Sequence, residues 1–231
     1  MSNYRGDYMR LRNIPGAREQ VKEDTRCFGA GDDTRGKWEE IFGRKAPVML
    51  EIGMGKGRFI IDMALRHPEY SFIGLERYES VMVKALGKLD RMERDGIPVP
   101  ENLKFLCMDA ANLEDMFERG EIDRIYLNFS DPWPKERHAK RRLESRGFLN
   151  IFGRVLKDKG IIEFKTDNEG LFDFALSELE DSGYELVYLS RDLHSDEEEM
   201  KDNVMTEYEE KFSAKGNKIS KYVIKKNPDR K

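Results

Sequence analysis

The stretch Glu51-Ile-Gly53-Met-Gly55-Lys-Gly57 follows a short apolar run and leads into an amphipathic one, the setting of a glycine-rich turn between a strand and a helix. The glycines permit a tight turn and let a ligand approach the backbone. A nicotinamide or flavin site wants glycines at 53, 55 and 58, but position 58 is Arg, and Glu51 would repel the pyrophosphate. An acid ahead of the glycines suits a cationic ligand instead, and S-adenosylmethionine carries both an ammonium and a sulfonium. Glu76 ends the next apolar run, at the spacing from Gly53 and Gly55 where a carboxylate accepts both ribose hydroxyls. Asp109, in Met108-Asp109-Ala110, follows the third run and reads either as an adenine contact, with Ala110, or as the cap of a short helix.

A second constellation is Asn128-Phe-Ser-Asp131-Pro132-Trp133-Pro134-Lys135. Two prolines stiffen it and remove backbone donors, and Trp133 offers a face on which a base can stack. The run Lys135 to Arg146 follows at once, with six Lys or Arg against two Glu. Its Arg137, Lys140, Arg141, Arg142 and Arg146 read as phosphate contacts, the alternative being the solvated face of a helix. The third constellation, Gly160 to Asn168, is a buried strand ending in Asp167, with Asn168 as a helix cap. In the fourth, Thr206 to Phe212, Met205, Tyr208 and Phe212 read as a buried stripe with Thr206 and Glu209 off it.

The elements that must position these residues follow from hydrophobic periodicity. From Pro47 onward, apolar runs at 48–52, 71–75, 103–107, 122–129, 160–166, 184–189 and 219–224 alternate with helical stretches near 57–66, 79–94, 141–156, 168–182 and 204–213. That alternation predicts an α/β fold, a mostly parallel sheet with helices on both faces. Ligands of such a sheet bind at the carboxyl ends of the strands, where strand order reverses. Glu51, Glu76, Asp109, Asp131 and Asp167 all fall at those ends. Residues 1–46 carry ten basic and eight acidic side chains with little periodicity, and read as an extended N-terminal arm ahead of a domain from 47 to 231. Within the arm, Arg5, Arg10, Arg12 and Arg18 are a second candidate for RNA contact.

Composition narrows the class. The chain has 231 residues, 39% hydrophobic and 37% charged, with two Cys and three His, which sets aside disulfide scaffolds and zinc fingers. No apolar run is long enough for a membrane span or a secretion signal, so a cytoplasmic protein with no membrane partner and no metal is expected. A net charge of -4 requires any nucleic-acid contact to use a local patch, and the 135–146 run is one. Asp192 to Glu199, with five acids and no base, reads as a solvated loop or helix face.

On EIGMGKG, GLE at 74–76, NFSDPWPKERHAKRRL, FKTDN and TEYEEKF, the chain resembles the bacterial tRNA (guanine-N7)-methyltransferases, class I S-adenosylmethionine-dependent enzymes, over about Pro47 to Lys225. The resemblance implies a seven-stranded Rossmann-like sheet with an antiparallel last strand. It implies methylation of a guanine in the tRNA variable loop; for the assembly, the expectation is a monomer or homodimer. Residues matching Glu51, Glu76, Asp109 and Asp131 then serve the cofactor, with Asp131 catalytic. Those matching Lys135, Asp167 and Thr206 to Glu209 serve the substrate, and the stretch Arg137 to Arg142 touches RNA. Guanine N7 carries a lone pair and no proton, so the reaction needs orientation and electrostatics rather than a base. Two other classes stay open: an adenine or cytosine amino-methyltransferase, from the loose likeness of Asn128-Phe-Ser-Asp-Pro-Trp to an Asn/Asp-Pro-Pro-aromatic motif, and a non-catalytic RNA-binding protein on the same fold.

Overall fold

The apolar runs pair into one sheet in a computed structural model that describes residues 14–227. In chain order the elements are α1 (Ala17–Glu23), β1 (Cys27–Gly29), α2 (Trp38–Phe42), β2 (Val48–Ile52), α3 (Arg58–Arg66), β3 (Ser71–Glu76), α4 (Glu79–Arg94), β4 (Leu103–Cys107), α5 (Leu113–Met116), β5 (Ile122–Asn128), α6 (Arg146–Val155), β6 (Leu156–Thr166), α7 (Glu169–Ser177), β7 (Tyr184–Ser190), α8 (Glu197–Lys201), α9 (Glu207–Ser213) and β8 (Ser220–Lys226). The sheet order is β1-β4-β3-β2-β5-β6-β8-β7. All pairings are parallel except those of β8, which runs antiparallel to both β6 and β7. Strands β2 and β3 are buried along their whole length, which is why they read as continuous apolar runs rather than as alternation.

Successive strand residues go to opposite faces, and the core divides accordingly. Met49, Phe72, Phe105 and Tyr126 pack under α3 and α4 with Ile60, Met82 and Leu86. Leu50, Ile73, Leu127 and Phe164 pack on the other side with Phe152 of α6 and Phe172 of α7. Strand order reverses at β2, which pairs with β3 on one side and β5 on the other. The carboxyl ends of β2 and β5 therefore flank the switch point where this class of sheet binds its ligands.

The α/β expectation and the antiparallel last strand hold, but the strand count is eight rather than seven. The extra strand is β1, three residues at the sheet edge, with Cys27 opposite Phe105 and Gly29 opposite Cys107. Three residues carry no periodicity, so sequence pattern passes over them. The described part of the expected arm is packed structure. Trp38 is fully buried, stacks on Phe117 at 5.2 Å and donates from Nε1 to the Met116 carbonyl at 3.0 Å. Thr34 donates to the same carbonyl at 3.1 Å. Arg5, Arg10 and Arg12 lie outside the described residues, and Arg18 is an exposed residue of α1. The helix expected over 141–156 starts only at Arg146, because Glu136 to Arg141 forms a 3₁₀ turn of its own.

If residues 14–46 belong to the folded unit, Trp38→Ala lowers unfolding free energy by about 3–5 kcal/mol, the range for emptying a large aromatic site. Chemical denaturation measures this, and a loss under about 1 kcal/mol would mark the segment as separable.

Candidate active site

The turn from β2 to α3 has Gly53, Gly55 and Gly57 at φ of 75°, 57° and 73°, a left-handed conformation that side chains rarely adopt. A Cβ on Gly57 would also meet Ala85 Cβ of α4 at 2.9 Å, while above Gly53 and Gly55 the space is open for 4 Å. The turn is thus pressed against α4 at one end and clear at the other, on the side where a ligand can lie along the backbone.

Three carboxylates converge beside it. Glu51 is 2% exposed; its Oε1 accepts from Asn128 Nδ2 at 2.9 Å, and its buried Oε2 has no hydrogen-bond partner among the described residues. Burial pushes the carboxyl up to about 7, against the pull of Asn128 and of the Lys165 charge. Glu76 is also buried, and its two oxygens accept backbone N–H groups, Oε2 from Gly55 at 3.2 Å and Oε1 from Tyr78 at 3.1 Å. A carboxylate has about four acceptor sites, so both oxygens retain capacity for hydroxyl donors. Burial raises the Glu76 pKa and the Asp131 charge adds to the rise, while Glu76 in turn raises Glu51. Glu76 thus stands between two like charges, and a cation among them relieves that repulsion.

Asp109 caps the turn that follows it: Oδ1 accepts from Ala111 N at 3.0 Å, and Oδ2 lies 3.5 Å from Arg77 Nη1, with the side chain still partly exposed. Ala110 beside it is buried. The loop after β5 is bent by positive φ at Phe129 (53°) and Trp133 (41°) and leaves Asp131 exposed. Arg141 lies 5.0 Å over the Trp133 ring. Lys135, Arg137 and Lys140 are exposed.

Two sequence readings are corrected here. Arg142, read as a phosphate contact, has part of its guanidinium engaged within the protein. Its Nε donates to the Pro132 carbonyl at 2.9 Å, its Nη2 to the Trp133 carbonyl at 3.2 Å, and its guanidinium lies 4.3 Å over Phe174. The planar fork that suits phosphate also suits two adjacent carbonyls. Arg146 is likewise engaged, with its guanidinium donating to the Glu180 carbonyl.

The second correction concerns α9. Thr206 caps it, accepting from Glu209 N at 2.9 Å. The expected stripe is turned over: Tyr208 is 41% exposed, whereas Glu209 is fully buried and so is withdrawn from any substrate. Glu209 accepts from Lys165 Nζ at 2.7 Å and from Asn203 Nδ2 at 2.8 Å, and His194 Nε2 lies 3.0 Å away. Burial opposes its charge, but Lys165 overrides it and holds the carboxyl below its ordinary range. Lys165, in the buried run of β6, is the site-building residue that sequence reasoning passed over. A cation next to the buried Phe164 at the end of a strand read as buried was the available signal, since such a charge needs a buried partner.

Other contacts bring α9 over the glycine turn. Lys56 pairs with Glu207 at 3.1 Å, Lys88 with Glu207, and Arg58 with Glu210. Tyr208 leans on Phe129 at 4.9 Å, so α9 also touches the Asp131 loop. Asp167 stands next to that loop, because β5 and β6 are neighbours, and accepts from Asn217 Nδ2 at 2.9 Å. Asn168 caps α7 through Leu171 N at 2.8 Å. Among the described residues no group of three His, Cys, Asp or Glu could hold a metal ion, and no helix is long and apolar enough to cross a membrane.

A family described as "Putative methyltransferase" matches residues 45–222. A tRNA (guanine-N(7)-)-methyltransferase of Lachnoclostridium phytofermentans is 47% identical over 215 residues, 93% of this chain and 97% of that protein. One of the same name from a Geobacillus species is 48% identical over 221 residues, 95% of this chain and 97% of that protein. The chain belongs to the tRNA (guanine-N7)-methyltransferase family. A structure of the 16S rRNA methyltransferase KamB, 14% identical, covers 85% of this chain and 94% of its own with a TM-score of 0.63, a likeness of fold alone. The matched range, 45–222, includes both the glycine turn and the Asp-Pro-Trp-Pro loop.

Lys165→Met should cost about 3–5 kcal/mol in chemical denaturation, because it strands the Glu209 charge in the interior; adding Glu209→Met should recover part of the loss. For Glu51 the sign is set by a folded pKa raised from 4.5 to about 7. Its contribution to stability is complete below about pH 4.5 and is lost as pH rises through 7. Glu51→Gln removes that loss, so the variant's stability relative to wild type should grow by on the order of 2–3 kcal/mol between pH 5 and 8. A flat difference across that range would place the buried proton elsewhere.

Proposed function

We propose that this protein transfers the methyl group of S-adenosylmethionine to N7 of a guanine in the variable loop of tRNA, in the cytoplasm. The observation that carries this reading is Glu51: a buried carboxylate oxygen without a partner, beside an open glycine turn and two further acids, in a chain about half identical to tRNA (guanine-N7)-methyltransferases along nearly their whole length. The residues present fit that cofactor. Glu51 would hold its ammonium, Gly53 and Gly55 its path along the turn, Glu76 its ribose hydroxyls, and Asp109 with Ala110 its adenine. When bound, it supplies an electrophilic methyl on a positively charged sulfur.

The chain's own residues do the rest by position. Asp131, exposed at the switch point, accepts from the N1 and N2 hydrogens of guanine, an edge that adenine lacks. Its charge also stabilises the purine as positive charge builds on the ring, which is transition-state stabilisation rather than proton transfer. Asp167, on the neighbouring strand end, is its second. Trp133 stacks on the nucleoside, and Thr206 presents the end of α9 to the substrate. Lys135, Arg137, Lys140 and Arg141 meet phosphates. Arg142 and Glu209 serve from behind, the first holding the loop and the second holding α9.

Incubation of the protein with methyl-tritiated S-adenosylmethionine and unmodified tRNA, followed by nucleoside digestion, tests this. Label in 7-methylguanosine is the expected result; label in a methylated adenosine or cytidine, or none, overturns it. In the same assay Asp131→Asn should lower kcat on the order of 10²-fold while tRNA affinity changes by less than about threefold, since the lost charge matters when the ring becomes cationic. An equal loss in both would make Asp131 a binding residue.

A further inference from the structure

Glu144 is a carboxyl with no exposure at all, two residues after Arg142 and outside the set of groups the reaction uses. Its Oε1 accepts from the Ser130 hydroxyl, its Oε2 is buried without a hydrogen-bond partner among the described residues, and its charge reaches the enclosed Tyr222 hydroxyl. Burial pushes it up to about 7. An enclosed acid is expensive beside an apolar residue of similar volume, so what it holds matters more than what it adds to the core.

What it holds is Ser130, the residue between Phe129 and Asp131. The loop is otherwise fastened on either side. Phe129 N donates to the Lys165 carbonyl at 2.8 Å before it, and Arg142 takes the Pro132 and Trp133 carbonyls after it. The Ser130 contact is the fastening next to the acid itself, in a stretch whose backbone at Phe129 and Trp133 is in the left-handed region. Arg142 and Glu144 thus grip the loop from one short segment, the first by its backbone and the second by a side chain.

We infer that Glu144, acting through Ser130, is a positioning residue that fixes Asp131 in the active site. The inference rests on the role given to Asp131 above. It assigns Glu144 no contact with substrate or cofactor.

The test uses Ser130→Ala, Glu144→Ala, Glu144→Gln and the double Ala variant, with two readouts. One is kcat and KM for tRNA. The other is acrylamide quenching of tryptophan fluorescence: of the two tryptophans, Trp38 is fully enclosed, so the quenchable emission belongs to Trp133 on the loop. Each Ala variant should lower kcat by about tenfold or more with KM within about threefold, and should raise the quenching constant, as a displaced loop requires. The double variant should be no worse than the more damaging single one, because both break the same contact. Glu144→Gln keeps an acceptor for Ser130 and should restore both readouts. Ala variants with unchanged kcat and quenching overturn the inference, and so does a Gln variant as impaired as Ala. Should Glu144→Ala fail to fold, Ser130→Ala alone decides. If wild type methylates no tRNA, the proposed function fails, while the quenching comparison still tests the clamp.

Discussion

Lys165 and Glu209 are a cation and an anion both taken out of water, and neither is tolerable without the other. That mutual dependence docks α9. Glu209 meets a charge fixed in the interior of the sheet, so the helix takes one rotational setting about its axis, with Glu207 reaching Lys56 and Lys88 and Tyr208 lying on Phe129. The pair also joins the two halves of the site. Lys165 tempers the charge of Glu51 on β2, and through Val204, Asn203 and Glu209 it holds the chain that crosses above the glycine turn.

The second organising constraint is electrostatic. A parallel sheet delivers strand ends to one edge, and here that edge collects Glu51, Glu76 and Asp131, with Glu76 acting on Glu51 and Asp131 acting on Glu76. Two are buried, so the repulsion is only weakly screened. Such an arrangement is unfavourable in the free protein and is relieved by a ligand carrying positive charge. It fits the proposed chemistry at both stages, with a cation at the start and a cationic ring at the end. On a chain of net charge -4, the basic turn at 135–146 beside this acidic edge is the local patch that the proposed RNA contact would use.

Hydrophobic pattern located β2 and β4 to the residue and the helix at 79–94 likewise, because long buried runs and long amphipathic stretches speak through many side chains at once. The acids at the strand ends were legible for the same reason, since their places follow from where the strands stop. What stayed hidden depends on single contacts. Arg142 stands in a basic run, and only the position of two carbonyls shows that two of its donors hold the loop. The stripe on α9 looked apolar, and one buried lysine on a distant strand reversed it. Glu144 counts in the sequence only as one of two acids in a basic run, whereas its neighbours in space enclose it completely. β1 is too short to have a pattern, although Trp38 eleven residues beyond its first residue buries as deeply as any strand residue.

The two sheet edges meet the hazard of strand addition differently. An unpaired edge offers a row of backbone donors and acceptors to any passing extended chain, which is the usual start of aggregation. On one side the sheet closes with β1, too short to template more than a brief ladder. On the other it closes with seven-residue β7, where Leu186, Val187 and Leu189 are exposed. There the pairing with β8 shifts register between Leu186 and Tyr188. A bulge of that kind twists the outer row out of line, so a partner strand cannot register along its whole length. Resistance to polymerisation is therefore built into this fold by brevity at one border and by irregularity at the other.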